Sequence, residues 1–284
     1  MTTMAGADAD VRVLSRHDLT AAARVLGVRP VENVFVDYRA RLTQMDPRWM
    51  GGQMWGFYRD GELASMLHLG ANLIPVEVDA QAGQAFVARL RRKPDQVVTI
   101  VGSQDQVLPL WDGVKEYWPA PRLLRFDQPH LTITRSPLVS PDPGVRVTRK
   151  RDFEILYPAC VAMYTEEIQV SPEREGGREL YRVRVQNLIN RNWSFSRIEN
   201  GRVLFKAEVA CASQDACQIQ GVYVDPEYRG RGLGTSGMAA VVQLCLENIA
   251  PTVALYVNNH NQAARRAYAR VGFEQSDTFA TVMY

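Results

Sequence analysis

The segment that most constrains the fold of this chain is an apolar run, a glycine-rich turn and an amphipathic stretch in direct succession. Residues 219–224 predict a strand, and residues 238–249, which are apolar at helical spacings, predict a helix. The turn between them, residues 225–235, contains Gly232 and Gly234. Glycine permits unusual backbone dihedrals, so the N–H groups of this turn and of the helix start can point at one anion. The segment therefore predicts a phosphate-binding turn in an α/β fold.

Two common phosphate-binding designs do not fit this turn. A Walker loop needs a lysine before its Ser or Thr, whereas Gly234 is followed directly by Thr235. The spacing of Gly232, Gly234 and Gly237 matches a dinucleotide fingerprint. That fingerprint also requires an acidic residue about 20 positions further on, and the next predicted strand ends instead at Asn258. We therefore set aside a nucleotide-dependent oxidoreductase.

A third design does fit. Arg229-x-x-Gly232-x-Gly234 resembles the Q/R-x-x-G-x-G/A pyrophosphate loop of the GNAT superfamily of acyl-CoA-dependent N-acyltransferases. Downstream, residues 261–273 read N-Q-A-A-R-R-A-Y-A-R-V-G-F and resemble the second signature of that family, N-x-x-A-x-x-x-Y-x-x-x-G-F. The two motifs occur in the family order and at the family separation. The resemblance covers about residues 145–284.

The resemblance implies that acetyl-CoA is the cosubstrate and that no metal is needed. The pyrophosphate would lie on the N–H groups of the glycine turn, with Arg229 contacting it through its backbone. The pantetheine arm would pair with the strand before the turn. The predicted cofactor-binding residues are Val222, Tyr223, Val224, Arg229, Gly230, Arg231, Gly232, Leu233, Gly234, Thr235, Asn261 and Tyr268.

The resemblance also implies a role for two residues of the last predicted helix. Tyr268 would be the general acid that protonates the leaving thiolate, or else an ordinary core tyrosine. Asn261 would contact the cofactor's arm, and its side chain is also suited to capping the helix start. The two residues are seven apart and so lie on the same helical face.

The proton acceptor is less evident. Some GNAT enzymes carry a catalytic Glu on the strand before the glycine turn, but Gln218 stands at that position here. Glu208 on the neighbouring strand is the predicted substitute, and a protonated amine needs such an acceptor at pH 7. Glu166, Glu167 and the terminal carboxylate of Tyr284 are the other candidates, and water chains could also carry the proton.

The composition is that of a globular protein. The formal net charge of +2 gives no indication of nucleic-acid binding. No apolar run is long enough to cross a membrane, and the small, acidic start of the chain does not resemble a signal peptide. The 4 cysteines are scattered, which predicts buried free thiols in a cytoplasmic protein, and the 4 histidines suggest no metal site.

The sequence divides at residues 136–144, which are rich in proline. On either side, Trp-x-Phe-x-Arg followed by a glycine occurs at Trp55 and again at Trp193. We therefore predict α/β (α+β, mixed-sheet) tandem GNAT-like folds, with splayed central strands in the C-terminal copy. Residues 1–138 would form a degenerate GNAT-like or accessory domain, because both cofactor signatures are absent there, and residues 145–284 the catalytic N-acetyltransferase domain.

Several secondary-structure elements can be predicted from these patterns. Strands are expected at 53–58, 62–69, 96–101, 145–148, 194–199, 202–211, 216–224, 252–257 and 273–283. Helices are expected at 81–92, 151–169, 179–190, 234–249 and 261–270.

These observations predict an acyl-CoA-dependent N-acetyltransferase in which the amine attacks the thioester directly. No cysteine has the His and acid partners that an acyl-enzyme would need. The acceptor can be a small-molecule amine or a protein amino group, and the oligomeric state is open. The alternative is a non-catalytic acetyl-CoA sensor or protein-interaction module, which Gln218 favours and Tyr268 disfavours.

Overall fold

The computed structural model describes residues 10–93 and 97–284, so the predicted lack of a signal peptide falls largely on residues outside this range. The strands, numbered in chain order, are β1 (Val11–Val13), β2 (Gly52–Arg59), β3 (Glu62–Gly70), β4 (Asn72–Val76), β5 (Thr99–Ser103), β6 (Leu123–Ile133), β7 (Arg146–Val147), β8 (Ser194–Glu199), β9 (Arg202–Ala212), β10 (Cys217–Val224), β11 (Val253–Tyr256) and β12 (Glu274–Met283). The helices are α1 (Leu19–Leu26), α2 (Val34–Thr43), α3 (Pro47–Met50), α4 (Ala80–Leu90), α5 (Gln104–Val114), α6 (Phe153–Ile168), α7 (Arg178–Asn190), α8 (Leu233–Asn248) and α9 (Gln262–Val271).

The chain forms two compact units. The first extends to His130 and also includes Gln275–Tyr284, and the second comprises Leu131–Glu274. The first unit contains strands in the order β1-β2-β3-β4-β5-β12-β6. Its side chains alternate between two apolar clusters, because successive strand residues face opposite sides of a sheet. Met54 packs with α1 and α2, whereas Trp55 packs with α4 and α5.

The second unit contains strands in the order β11-β10-β9-β8-β7. The β10–β11 pair is parallel and the other pairs are antiparallel. Helices α8 and α9 share the main apolar cluster, in which Phe205, Met238 and Tyr268 are buried. Helices α6 and α7 pack around a second cluster that includes Tyr181.

The two units repeat one hairpin in detail. Asp60 and Gly61 turn β2 into β3 with φ of +50° and +83°, and Asn200 and Gly201 turn β8 into β9 with φ of +49° and +73°. Positive φ at both central residues is the type I′ signature that Asn-Gly and Asp-Gly favour. Each hairpin also has a register shift shortly before its turn. The prediction of tandem folds with a mixed sheet is confirmed.

The last strand lies in the first unit. We expected residues 273–283 to close the C-terminal half, but β12 pairs with β5 from Phe279↔Ser103 to Met283↔Thr99. The proline-rich segment is also more integrated than a linker, since the Leu138 N–H donates to the Val271 carbonyl at 2.8 Å. The limits 1–138 and 145–284 therefore remain a proposal about domains, and the contacts divide the chain differently at its end.

The predicted elements of the C-terminal half lie within about two residues of the observed ones. The first half differs more. The strand predicted at 96–101 is β5, Thr99–Ser103, and residue 96 lies outside the described range. The helices α1, α2, α3 and α5 and the strands β1, β4 and β6 had not been predicted.

Candidate functional site

The central parallel strands of the second unit separate along their length. Strands β10 and β11 pair only at Cys217↔Val253 and Gln218↔Ala254, although both strands continue beyond these residues. Strand β10 stays paired with β9, but its register shifts between Gln220 and Tyr223. Gly221 lies within this shift, with φ of +61°. A shift of this kind bends a strand, and beyond Gln218 and Ala254 the two strands are no longer paired. We call the gap between their carboxyl ends the cleft.

The glycine turn follows β10 directly and is fixed at its start. Arg202 donates two hydrogen bonds to the Asp225 carboxylate, at 2.6 and 2.7 Å, and thereby lowers the pKa of Asp225. Gly230 and Gly232 then adopt φ of +75° and +83°. A Cβ added to either would be strained and would have no atom within 4 Å. The turn therefore has open space in front of it that only glycine leaves clear.

Helix α8 begins at this open space. The N–H groups of Thr235 and Ser236 bond back to the Gly232 carbonyl at 2.9 and 3.1 Å. Across the residues that the structure describes, the N–H groups of Leu233 and Gly234 donate to no other backbone or side-chain oxygen. These unpaired donors and the positive end of the helix dipole can hold a phosphate oxygen. The turn therefore has the donors that a phosphate or diphosphate group needs.

The Arg229 side chain turns away from that space. Its Nε donates to the Val224 carbonyl at 3.0 Å, and its terminal nitrogen donates to Glu166 at 2.7 Å. The guanidinium therefore holds the end of β10 to the end of α6. The backbone N–H of Arg229 also has a partner, because it donates to the Pro226 carbonyl at 3.4 Å.

The opposite lip of the cleft is formed by the end of β11 and the start of α9. The Asn258 side chain donates to Glu167 at 3.0 Å. Asn261 caps α9, because its Oδ1 accepts a hydrogen bond from the Ala264 N–H at 3.1 Å. Tyr268 is buried about two turns further along this helix, where burial and, to a smaller extent, the Glu167 carboxylate raise its pKa. The phenol is therefore protonated at neutral pH.

Two consecutive glutamates at the end of α6 join the two lips. Glu166 reaches the turn after β10 through Arg229, and Glu167 reaches the end of β11 through Asn258. Sequence reasoning had named both glutamates as proton-acceptor candidates but had given Asn258 no role at the site. The sequence position of Asn258 could have indicated such a role. Ligands bind beyond the carboxyl ends of parallel strands, and Asn258 follows the carboxyl end of β11.

Glu208 lies on β9 beside the bend in β10, and both of its carboxylate oxygens are engaged. Lys206 Nζ donates to one at 3.0 Å and Gln220 Nε2 donates to the other at 2.9 Å. The Lys206 side chain is fully buried. Burial by itself lowers the pKa of Lys206, but Cys160 and Glu208 outweigh it and raise the pKa above its usual value. Glu208 therefore forms a buried ion pair, which sequence reasoning missed although residues 206 and 208 share one strand face.

Two other positions considered for the proton acceptor are placed differently. Gln218 is buried on β10 opposite Cys211 and Ala254, and an amide cannot accept the proton. Tyr284 lies in the first unit, where its ring meets Trp118 edge to face. Glu166, Glu167 and Glu208 all lie in the second unit, whereas the terminal carboxylate lies in the first.

The first unit has the same splayed strands without the turn. Strands β4 and β5 are parallel and pair only at Asn72↔Thr99 and Leu73↔Ile100. The connection from β4 to α4 is short, residues 77–79, and contains no glycine. The Val78 N–H in this connection donates to the Gln106 side chain at 2.8 Å. The Val78 N–H, which follows β4 as the glycine turn follows β10, is thus already hydrogen-bonded within the protein.

Across residues 10–93 and 97–284, no group of three or more His, Cys, Asp and Glu side chains is arranged to hold a metal ion. The cysteines are all buried and unpaired. No helix in the described ranges combines the length and the apolar character that a membrane crossing requires.

The comparisons with known proteins agree with this geometry. Residues 191–273 match the acetyltransferase (GNAT) family, and residues 52–156 match a domain of unknown function (DUF4081). An uncharacterised N-acetyltransferase of Methanocaldococcus jannaschii is 31% identical over 64 residues, which are 22% of this chain and 28% of that protein. The C-terminal part of the chain therefore contains a GNAT acetyltransferase domain.

Solved structures resemble the whole chain in fold. A GCN5-related N-acetyltransferase from Sphaerobacter thermophilus gives a TM-score of 0.63 at 17% identity, covering 96% of this chain and 94% of that one. A tandem GNAT protein from the clavulanic acid biosynthesis pathway gives 0.58 at 13% identity, covering 96% and 98%. At these identities the likeness concerns the fold alone, and it includes the tandem arrangement.

Proposed function

We propose that the second unit binds acetyl-CoA and transfers its acetyl group to an amine by direct attack. The observation that carries this proposal is the cleft between β10 and β11. An open glycine turn lies at one lip, and a buried, protonated tyrosine, Tyr268, stands on the helix at the other. A long, extended cosubstrate with a diphosphate at one end and a thioester at the other matches that arrangement.

The diphosphate would accept hydrogen bonds from the N–H groups of Gly230 to Gly234, with Arg231 and Thr235 beside them. The pantetheine arm would pair with residues 222–224, the end of β10 that β11 leaves uncovered. A backbone N–H there would polarise the thioester carbonyl, which stabilises the oxyanion formed on attack. Asn261, at the start of α9, would contact the arm from the opposite lip.

The chemical step needs one proton donor and one acceptor. The amine nitrogen attacks the carbonyl carbon, the carbon–sulfur bond breaks, and the leaving thiolate takes the phenol proton of Tyr268. Glu208 is the proposed acceptor of the amine proton. Its Oε1 would lose the hydrogen bond from Gln220 and accept one from the amine instead. Lys206 would stay paired with Oε2. Glu167, which is exposed and near Tyr268, is the second carboxylate to test.

The test is release of coenzyme A from acetyl-CoA across a panel of small amines, polyamines and peptides. Tyr268→Phe removes one hydroxyl, so coenzyme A affinity should be retained while turnover falls about 10²–10⁴-fold. Tyr181→Phe is the matched control, because Tyr181 is also a buried tyrosine, but its hydroxyl donates to the Cys160 carbonyl.

Two results would count against catalysis. Wild-type turnover in Tyr268→Phe, with chemistry limiting the rate, would remove that residue from the mechanism. Tight acetyl-CoA binding without amine-dependent thiol release from any acceptor would favour the sensor, for which Gln218 is the supporting feature.

A further inference from the structure

A second concave site lies in the second unit at the edge strand β7, which β8 and β9 separate from β10. It is a cavity of about 360 Å³, and its wall comes from two segments. One segment is residues 146–150, the strand and the turn after it, and the other is the end of α7 with Ile189, Asn190 and Asn192. This volume is within the range of small-molecule sites, about 300–1,000 Å³.

The charge of the wall is entirely positive. Arg146, Arg149 and Lys150 line the cavity, and no acidic side chain does. Arg146 is already paired with Asp152 at 2.7 Å. In the described part of the chain, however, neither the Arg149 nor the Lys150 side chain has a carboxylate partner.

Two arginines near the cavity differ from Arg149 and Lys150 in having acidic partners. On the same two-helix layer, Arg182 pairs with Glu154 at 2.7 Å, and Arg178 pairs with Glu173 at 3.4 Å. Asp152, the acid that pairs with Arg146, accepts the Arg149 backbone N–H through the same oxygen at 2.8 Å. Arg149 and Lys150 are exposed and adjacent, so they can close on one anion without losing an existing partner.

The rest of the wall suits an organic ligand. Val147 and the buried Ile189 are apolar residues of the wall, and Asn190 and Asn192 are exposed residues of the wall with carboxamide side chains. Carboxamide NH₂ groups donate to phosphate and carboxylate oxygens as readily as to water. Asn192 has φ of +59°, so the backbone turns sharply at the rim. An apolar floor with a few convergent donors is the usual composition of a small-molecule site.

We propose that this cavity binds a small organic anion, with its phosphate or carboxylate oxygens held by Arg149 and Lys150 and its carbon skeleton against Val147 and Ile189. Such a ligand would be separate from acetyl-CoA, whose diphosphate we assign to the glycine turn. The proposal does not depend on the acetyltransferase activity, because all of its residues lie outside the β10–β11 cleft.

Calorimetry on the full chain tests the proposal with two probes, inorganic phosphate and citrate. The expected result is one site per chain, weakened at least about tenfold in Arg149→Gln/Lys150→Gln, because each change removes a charged donor. Arg16→Gln/Arg92→Gln is the matched control, since it removes the same charge from exposed positions in the first unit and should bind like wild type. Arg149→Lys/Lys150→Arg keeps both charges and should retain binding.

The outcomes separate the ligand classes and the sites. Binding of phosphate alone points to a phosphomonoester, and binding of citrate alone points to a polycarboxylate. Gly232→Asp should leave both affinities unchanged, whereas an equal loss in Gly232→Asp would place the anion at the glycine turn and overturn the proposal. It is also overturned if neither probe binds at millimolar concentration, or if Arg149→Gln/Lys150→Gln binds like wild type.

Discussion

Replacing Glu208 by glutamine separates two roles that this residue would have to combine. In the structure it neutralises Lys206, whose side chain is fully buried, at 3.0 Å. In the proposed mechanism it also accepts the amine proton. Glu208→Gln keeps the shape and removes the charge, so it leaves a buried ammonium beside a neutral amide.

The loss of stability can be estimated from this geometry. Removing one partner of a buried ion pair costs about 3–5 kcal/mol, and the lower value applies because the amide still accepts one hydrogen bond. At about 2–4 °C per kcal/mol, the melting temperature should fall by roughly 6–12 °C. Thermal melts of wild type and variant, followed by circular dichroism, measure this shift.

A double variant distinguishes folding from chemistry. Lys206→Met/Glu208→Gln removes both charges, and such replacements of buried pairs are often neutral for stability. The melting temperature should therefore return towards wild type, while turnover should remain low because the acceptor is still missing. Recovered turnover in the double variant would limit Glu208 to a structural role, and an unchanged melting temperature in Glu208→Gln would refute the buried-pair reasoning.

Two further predictions concern the first unit. Burial lowers the pKa of His130 from 6.5 to about 4. Between these pH values the unfolded chain therefore binds more protons than the folded chain. The free energy of unfolding should fall by about 3 kcal/mol as the pH drops through that window. In His130→Phe the decline measured by denaturant titration should be shallower, whereas the exposed His17→Gln should follow wild type. Removal of Gln275–Tyr284 should abolish the hydrogen-exchange protection of β5, because Phe279 to Met283 pair with it, and leave the β8–β9 hairpin protected. Unchanged protection of β5 would contradict the placement of the last strand.

The C-terminal half could be predicted from sequence because its local signals agree with its tertiary structure. Asn200-Gly201 fixes the hairpin, Asn261 caps α9, and Gly272 ends that helix with φ of +109°. Each of these signals depends on a few neighbouring residues. The glycine turn likewise needs only its own backbone dihedrals to be recognised as an anion site.

The features that could not be predicted depend on distant contacts. No local pattern states which sheet a terminal strand joins, and β12 lies beside β5 through residues about 180 positions apart in the chain. Proline obscured β4 and α5, since Pro75 and Pro109 lie inside them. Glu208 was named as a proton acceptor without its partners. Its contact with Gln220 depends on the register between β9 and β10, which no local pattern states.

Acetyl-CoA binding at the glycine turn is the most direct test of the central claim. Gly232→Asp puts a carboxylate at φ of +83° in the open space before α8, and Gly201→Asp is matched to it, with φ of +73° in equally open space at the hairpin turn. At about 100 times the dissociation constant, acetyl-CoA should stabilise wild type and Gly201→Asp by about 2.7 kcal/mol in a thermal melt. Gly232→Asp should show no stabilisation. Equal stabilisation of all three proteins, or of none, would contradict the assignment of this cleft as the acetyl-CoA site.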